Sequence, residues 1–442
     1  MFTRREFLNH TIAAGVVAAT SLQVGCSNEE KSAGESSAVA RTQPSRIKSA
    51  VRREETILRL GGDGDNFHMS WAADDRQLVA VCDGMGWGEN PKDLYNSRLF
   101  AISGGPQNAT FEDIPTYPDK LHLDKSAARF YGFGTLAVDG GMYQYLSTFS
   151  EPAKPGDSTS LFRFIGAKLI YSPDNGRTWH NQDGSTPVVW ETPQARSREN
   201  MVFFEESQDA FSLLTVLQMG RNYGANRDGY VYVYAPNGST EGTMNELVMF
   251  RTPKSQILNR AAYEYFAGLR PGGEATWVKN IDSRRVVHTF PRGWVNKTVH
   301  AYAWHPSVAY NAPVGLYMMA NWGMGCTPEG DWFGKPSYLG LWIAPNPWGP
   351  WTQIQEETAW MPGKDPAARA YQPQISPKWI AEDGKSFWLV WTDFQNTSEF
   401  MPTLRKAFAA KRHEDFMRLM IESRRYRPYY TFNAQRVDLE IA

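Results

Sequence analysis

Five times between Arg76 and Ile441 the chain returns to one unit: a turn holding Asp or Gly, an aromatic β-strand, then a second strand closed by another turn. The first strands read RQLVAVCDG from Arg76, GGMYQYLSTF from Gly140, DGYVYVYAP from Asp228, VGLYMMANW from Val314 and GKSFWLVWTDF from Gly384. Their partners are RLFAISGG (98–105), AKLIYSPDNGRTW (167–179), ELVMFRTP (246–253), LGLWIAPNPWGPW (339–351) and AQRVDLEI (434–441). Strand starts at Gln77, Met142, Tyr230, Leu316 and Phe387 recur at intervals of 65 to 88 residues. Five unrelated hairpins would leave sheet edges and apolar faces uncovered, whereas blades set around an axis cover both. The repeat therefore predicts an all-β, five-bladed β-propeller over residues 54–442, with the first strand of each pair nearest the axis.

Composition agrees with that architecture. The chain holds 16 Trp, 20 Tyr and 23 Phe beside 37 Gly, as many short aromatic strands joined by tight turns require. Aromatic faces also suit the C–H surfaces of sugar rings. With 46 basic and 47 acidic residues there is no global field to attract nucleic acid or an anionic membrane surface. The stretch SPDNGRTW (172–179) matches S-x-D-x-G-x-T-W, the Asp box of sialidase-like blades. Its Asp174 is expected to cap a hairpin turn and its Trp to pack beneath it. A sialidase needs several such boxes, an arginine cluster for the substrate carboxylate and a Tyr nucleophile, and the single box evident here argues against that chemistry. Between the strands of the fifth unit, TLRKAFAAKRHEDFMRLMIESRR (403–425) lacks Gly and Pro and reads as a short helical insertion of one or two helices.

The first 26 residues read as an address rather than as fold. TRREFL (3–8) supplies a twin-arginine signal, and TIAAGVVAATSLQVG (11–25) is an apolar run of 15 residues ending before Cys26. LQVGC resembles a bacterial lipoprotein box, so Cys26 is the expected lipidation site; ordinary cleavage after AVA (38–40) is the alternative. Residues 27–53 are polar, rich in Ser and Ala and without apolar period, and read as a flexible tether. The expected product is a periplasmic or cell-surface lipoprotein whose contact with the membrane is its lipid anchor. Cys82 and Cys326 then remain, to pair or to stay as buried thiols.

Chemistry concentrates in GGDGDNFHMSW (61–71) and AADDRQLVAVCDGMGWG (72–88). Turn formation accounts for part of this Asp and Gly usage. In a propeller, residues remote in sequence meet at one end of the central channel. There, Asp65 in the loop entering the first blade and Asp83 at the end of its inner strand both face the axis. Glycosidic cleavage asks for two carboxyl groups, one protonated to assist the leaving oxygen and one ionised to act on the anomeric carbon or on water. Asp65 and Asp83 are the expected catalytic pair, with Asp63 the rival for the first role and otherwise a substrate ligand. His68, Trp87, Arg260, Glu264 and His305 lie in segments expected at the channel mouth, as ring platform and hydroxyl partners; Glu264 is also the fallback acid. No H-x-x-x-H, C-x-x-C or EF-hand spacing occurs, so no metal or cofactor is expected to be required, with a structural Ca²⁺ in the channel left open.

The order of GGDGDNFHMSWAADDRQLVAVCDGMGWG, DGYVYVYAPNG, NRAAYEYFAG (259–268), HPSVAYN (305–311), NPWGPW (346–351) and PQISPKWIAEDGKSFWLVWTDF (373–394) resembles the domain of unknown function 4185 family, from about residue 58 onward. The resemblance implies a five-bladed propeller and, as in some members, an endo-D-arabinanase cutting arabinofuranose polymers; it carries the family's aspartate pair onto Asp65 and Asp83. Cys82 and the insertion at 403–425 have no counterpart in the arabinanases, which leaves the sugar open. The rival expectation is a noncatalytic carbohydrate-binding or scaffold propeller. Oligomeric state is not legible.

Overall fold

The computed structural model describes residues 47–88, 94–121, 124, 126–150, 163–238, 244–291, 304–327, 333–395 and 427–441, with positions 402, 403, 406, 418, 419, 422 and 424. The expected export signal, the expected lipidation site Cys26 and the expected tether up to residue 46 lie outside them. Among the described residues there are five antiparallel sheets of four to six strands. The innermost strands are Asp63–Asp65 with Met69–Trp71 in the first blade, then Phe130–Val138, Thr215–Val216, Ser307–Asn311 and Ala370–Ile380. Each touches the next, and Ala370–Ile380 returns to Met69–Trp71, so the ring closes as a five-bladed propeller.

The ring is joined by small polar side chains. The Ala137 N–H donates to Ser70 Oγ at 2.8 Å, Gln218 Nε2 to the Thr135 carbonyl at 3.0 Å, and the Ile375 N–H to Ser307 Oγ at 2.8 Å. Ser376 Oγ donates to Gln77 Oε1 at 2.8 Å, joining the fifth blade to the first. Buried backbone groups at the axis need partners, and neighbouring blades supply them in place of a continuous ladder. Further out, apolar packing takes over. Strand Tyr230–Pro236 is buried at nearly every position on both faces, as expected for a sheet sandwiched between two others.

Two expectations are corrected. The strand beginning at Gln77, and its four counterparts, are second in their sheets rather than innermost: Gln77–Gly86 lies outside Asp63–Asp65 and Met69–Trp71. Met69–Trp71, Thr215–Val216 and Ser307–Asn311 escape a hydrophobic pattern because they are short, whereas Phe130–Val138 is long and apolar and precedes the strand that the repeat placed innermost. The second concerns residues 47–52, which were expected to belong to the tether. Ile47–Arg52 forms a strand that pairs antiparallel with Asn433–Ile441, so the fifth blade is completed by the front of the chain.

The Asp box behaves as a turn. Asp174 Oδ1 accepts from the backbone N–H of Thr178 at 2.8 Å and of Arg177 at 3.1 Å, while Trp179 is buried beneath. The helical insertion falls largely outside the described residues; positions 402, 403, 406, 418, 419 and 422 within or beside it are helical. Cys82 and Cys326 are both buried and form no disulfide with one another. Among the described residues no helix is long and apolar enough to cross a membrane.

Candidate active site

Asp65 ends the strand Asp63–Asp65 and lies directly across from Cys82 in the neighbouring strand, so Asp83 follows at the same end of the first blade. Two local devices produce this. Gly84 lets the strands meet: a Cβ there would stand 2.1 Å from the Asp63 carbonyl oxygen. Asp83 itself adopts φ 50°, the left-handed region that a non-glycine residue enters at a cost of about 1–3 kcal/mol and that clusters at functional sites. Strain of this kind re-aims a side chain.

Asp65 is buried, and its Oδ2 accepts from Tyr371 Oη at 2.7 Å and from Tyr430 Oη at 3.0 Å. The Tyr430 hydroxyl is also 3.4 Å from the Asp83 carbonyl oxygen, which ties both aspartates to one phenol. Asp83 keeps some contact with solvent although its Oδ1 is enclosed. Burial pushes the Asp83 carboxyl up to about 7, against the pull of Arg129 and Arg427. Burial raises Asp65 well above the carboxylate range; the charge of Asp83 adds to this, and the two tyrosines and Arg427 oppose it. The order of ionisation follows from the coupling: Asp83 loses its proton first, and its negative charge then holds the proton on Asp65. A protonated and an ionised carboxyl thus stand at one end of the first blade. Cys82 beside them is driven well above its usual value by burial and by the two aspartates, which makes it a poor nucleophile.

The remaining predicted residues divide by position. Asp63 Oδ2 accepts from Arg424 Nε at 2.8 Å, so the rival carboxylate is held in an ion pair. His68 is buried, one residue before the strand Met69–Trp71, and accepts from the Thr135 N–H through Nδ1 at 3.2 Å, which leaves its proton on Nε2. Burial lowers His68 to about 3 and His305 well below its usual value, so both rings are neutral. His305, at φ 49°, packs on Phe133 with centroids 4.0 Å apart; neither ring nitrogen has a hydrogen-bond partner among the described residues. Trp87 is committed elsewhere: it stacks on Phe111 at 3.9 Å and 11°, Gly62 abuts its ring, and its Nε1 donates to the Leu60 carbonyl. Arg260 pairs with Glu206 at 2.8 Å, and Glu264, on the fourth strand of the third blade, pairs with Arg251 at 2.8 Å. Neither Arg260 nor Glu264 is brought to the aspartates.

Four residues at this end were not legible beforehand. Tyr371 and Tyr430 come from the fifth blade, 306 and 365 positions from Asp65. Arg427 is buried with its guanidinium 4.2 Å over the Tyr430 ring, and Arg129 stands where the second blade's innermost strand begins. The one available signal was their common topology, each standing at or beside the same end of a blade. Among the described residues no three His, Cys, Asp or Glu side chains converge as metal ligands.

No family model and no curated protein matches the sequence. Solved structures similar to the chain include the catalytic domain of a GH62 α-L-arabinofuranosidase from Coprinopsis cinerea (TM-score 0.42, 9% identity, covering 90% of this chain and 100% of that one). A GH43_1 enzyme from Xanthomonas citri aligns with TM-score 0.38 and 13% identity over 78% of this chain and 85% of that one. The xyloglucan PUL GH43B of Bacteroides ovatus aligns with TM-score 0.39 and 9% identity over 79% of this chain, which spans about half (51%) of that longer protein.

Proposed function

We propose that the protein is a glycoside hydrolase acting on a polysaccharide, with Asp65 as the proton-bearing acid and Asp83 as the ionised partner. The observation that carries this reading is the placement of the two carboxyl groups at one end of the first blade, with Asp65 held by Tyr371 and Tyr430 and with burial raising both carboxyls. Two carboxyl groups whose surroundings push their proton affinities apart are what leaving-group protonation and attack at the anomeric carbon need. Tyr371 and Tyr430 fix the Asp65 carboxyl by two hydrogen bonds, so its orientation is set before substrate arrives. An endo-acting enzyme on an arabinofuranose polymer is the specific form we favour, on the sequence resemblance; an exported, lipid-anchored location follows from the residues around Cys26.

The test is product analysis after incubating the mature protein with arabinan, arabinogalactan, xylan and sialylated glycans, beside Asp65→Asn and Asp83→Asn. New reducing ends from the parent and a loss of about a hundred- to ten-thousand-fold in each variant are expected. Full turnover in either variant removes the pair from the chemistry. Binding without turnover across the panel would instead make the protein a carbohydrate-binding propeller. The anomeric form of the first product assigns Asp83: retention makes it the nucleophile, inversion makes it the base that activates water.

A further inference from the structure

A cavity of about 730 Å³ opens on the outer flank of the second blade, bounded by Lys168, by the loop 181–201 and by Leu258 and Arg260 of the third blade. None of Asp65, Asp83, Tyr371 or Tyr430 lines it. Its volume lies within the range of small-molecule sites, about 300–1,000 Å³. Glu191 is the informative residue. It is 6% exposed, its Oε1 accepts from the equally enclosed Lys168 Nζ at 2.7 Å, and its Oε2 has no hydrogen-bond partner among the described residues. A buried acceptor already neutralised through its other oxygen calls for an uncharged donor rather than a second cation. Next to it stands Trp190, half-buried, its ring 5.3 Å from Phe130. The charges lining the cavity balance, Lys168, Arg198 and Arg260 against Asp183, Glu191 and Glu199, so no net field favours a polyanion.

We infer that this cavity is a second saccharide-binding site, which takes a neutral stretch of polysaccharide with a hydroxyl donated to Glu191 Oε2 and a ring face against Trp190. The inference rests on the reading of the protein as one that acts on polysaccharides, but not on its being catalytic. A chain held there while another part of it reaches the aspartates is kept at high effective concentration. That advantage exists for a polymer and is absent for a short oligosaccharide.

Affinity electrophoresis of the Asp83→Asn protein through gels containing soluble arabinan, arabinogalactan or xylan tests this without turnover. At least one polymer is expected to retard it, and adding Trp190→Ala is expected to weaken that retardation by about tenfold or more. Val189→Asp, at a lining position 53% exposed, places a charge in the cavity without touching the core and is expected to act likewise. With Asp65 and Asp83 intact, both changes should lower the rate on polymer and leave the rate on short oligosaccharides as it was. Equal retardation in all three proteins, or none by any polymer, overturns the inference. Retardation that depends on Trp190 in a protein whose parent form releases no product supports the cavity and removes the hydrolase reading alone.

Discussion

Tyr371, on the innermost strand of the fifth blade, donates to Oδ2 of Asp65 at 2.7 Å across 306 positions of sequence. The contact makes the first and last blades share one carboxyl group, and the properties of that carboxyl therefore depend on both.

Replacing Tyr371 with Phe removes one of two donors from a buried acceptor. Donation to the ionised form lowers the proton affinity of Asp65, so its loss raises it. The alkaline limb of the pH–rate profile should move to higher pH in Tyr371→Phe and in Tyr430→Phe, with a stability loss of about 1–3 kcal/mol. Alkaline limbs that coincide with the parent's would show that Asp65 is not the acid.

Activity should rise with pH through about 7 as Asp83 ionises, and fall only where Asp65 finally loses its proton. The expected profile is a bell displaced toward the alkaline side, measured as kcat/KM on a soluble substrate. An acid limb centred near the ordinary carboxylate value of about 4 would contradict the burial-driven shift.

Stability carries the same signature with its own sign. A carboxyl whose folded value is raised above its unfolded one binds more protons in the native state between the two, so its stabilising contribution is complete at low pH and is lost as pH climbs through about 7. Asp393, also raised to about 7 by burial, acts in the same direction, while His68, lowered to about 3, acts in the opposite one. The difference between Asp83→Asn and the parent isolates the site. The variant should melt at a higher temperature than the parent at pH 8, with the gap closing toward pH 4; a variant less stable at pH 8 would refute the cost of the buried charge.

Gly84→Ala tests the strand geometry. Its Cβ would stand 2.1 Å from the Asp63 carbonyl oxygen, a backbone atom that cannot rotate away. The change should cost about 1–3 kcal/mol or more and disorder the Asp65–Asp83 relationship, abolishing activity in protein that still folds. Wild-type rate and melting temperature would show that the two strands can separate freely.

The sequence made the outer strands of each blade visible because they are aromatic, regularly spaced and bounded by Asp and Gly turns. Met69–Trp71, Thr215–Val216 and Ser307–Asn311 were not visible, since they are short and give their polar groups to neighbouring blades instead of showing an apolar period. Ile47–Arg52 reads IKSAVR, with the charged and small residues of a sheet edge, and so was indistinguishable from a tether. The placement of Asp65 and Asp83 at one end of the first blade was readable because the turn chemistry around them is local. Tyr371, Tyr430 and Arg427 acquire their role through ring closure, which no short stretch encodes. Arg260 and Glu264 illustrate the converse: their segment packs in the outer part of the third blade, where ion pairs with Glu206 and Arg251 consume their charges.

The pairing of Ile47–Arg52 with Asn433–Ile441 makes the fifth blade a seam between the two ends of the chain. Four blades can assemble from residues near one another, but the ring cannot close until Asn433–Ile441 is made and meets a strand synthesised long before. Deleting either strand would therefore unfasten the ring rather than shorten one tail, and the carboxyl that Tyr371 and Tyr430 hold in place would loosen with it.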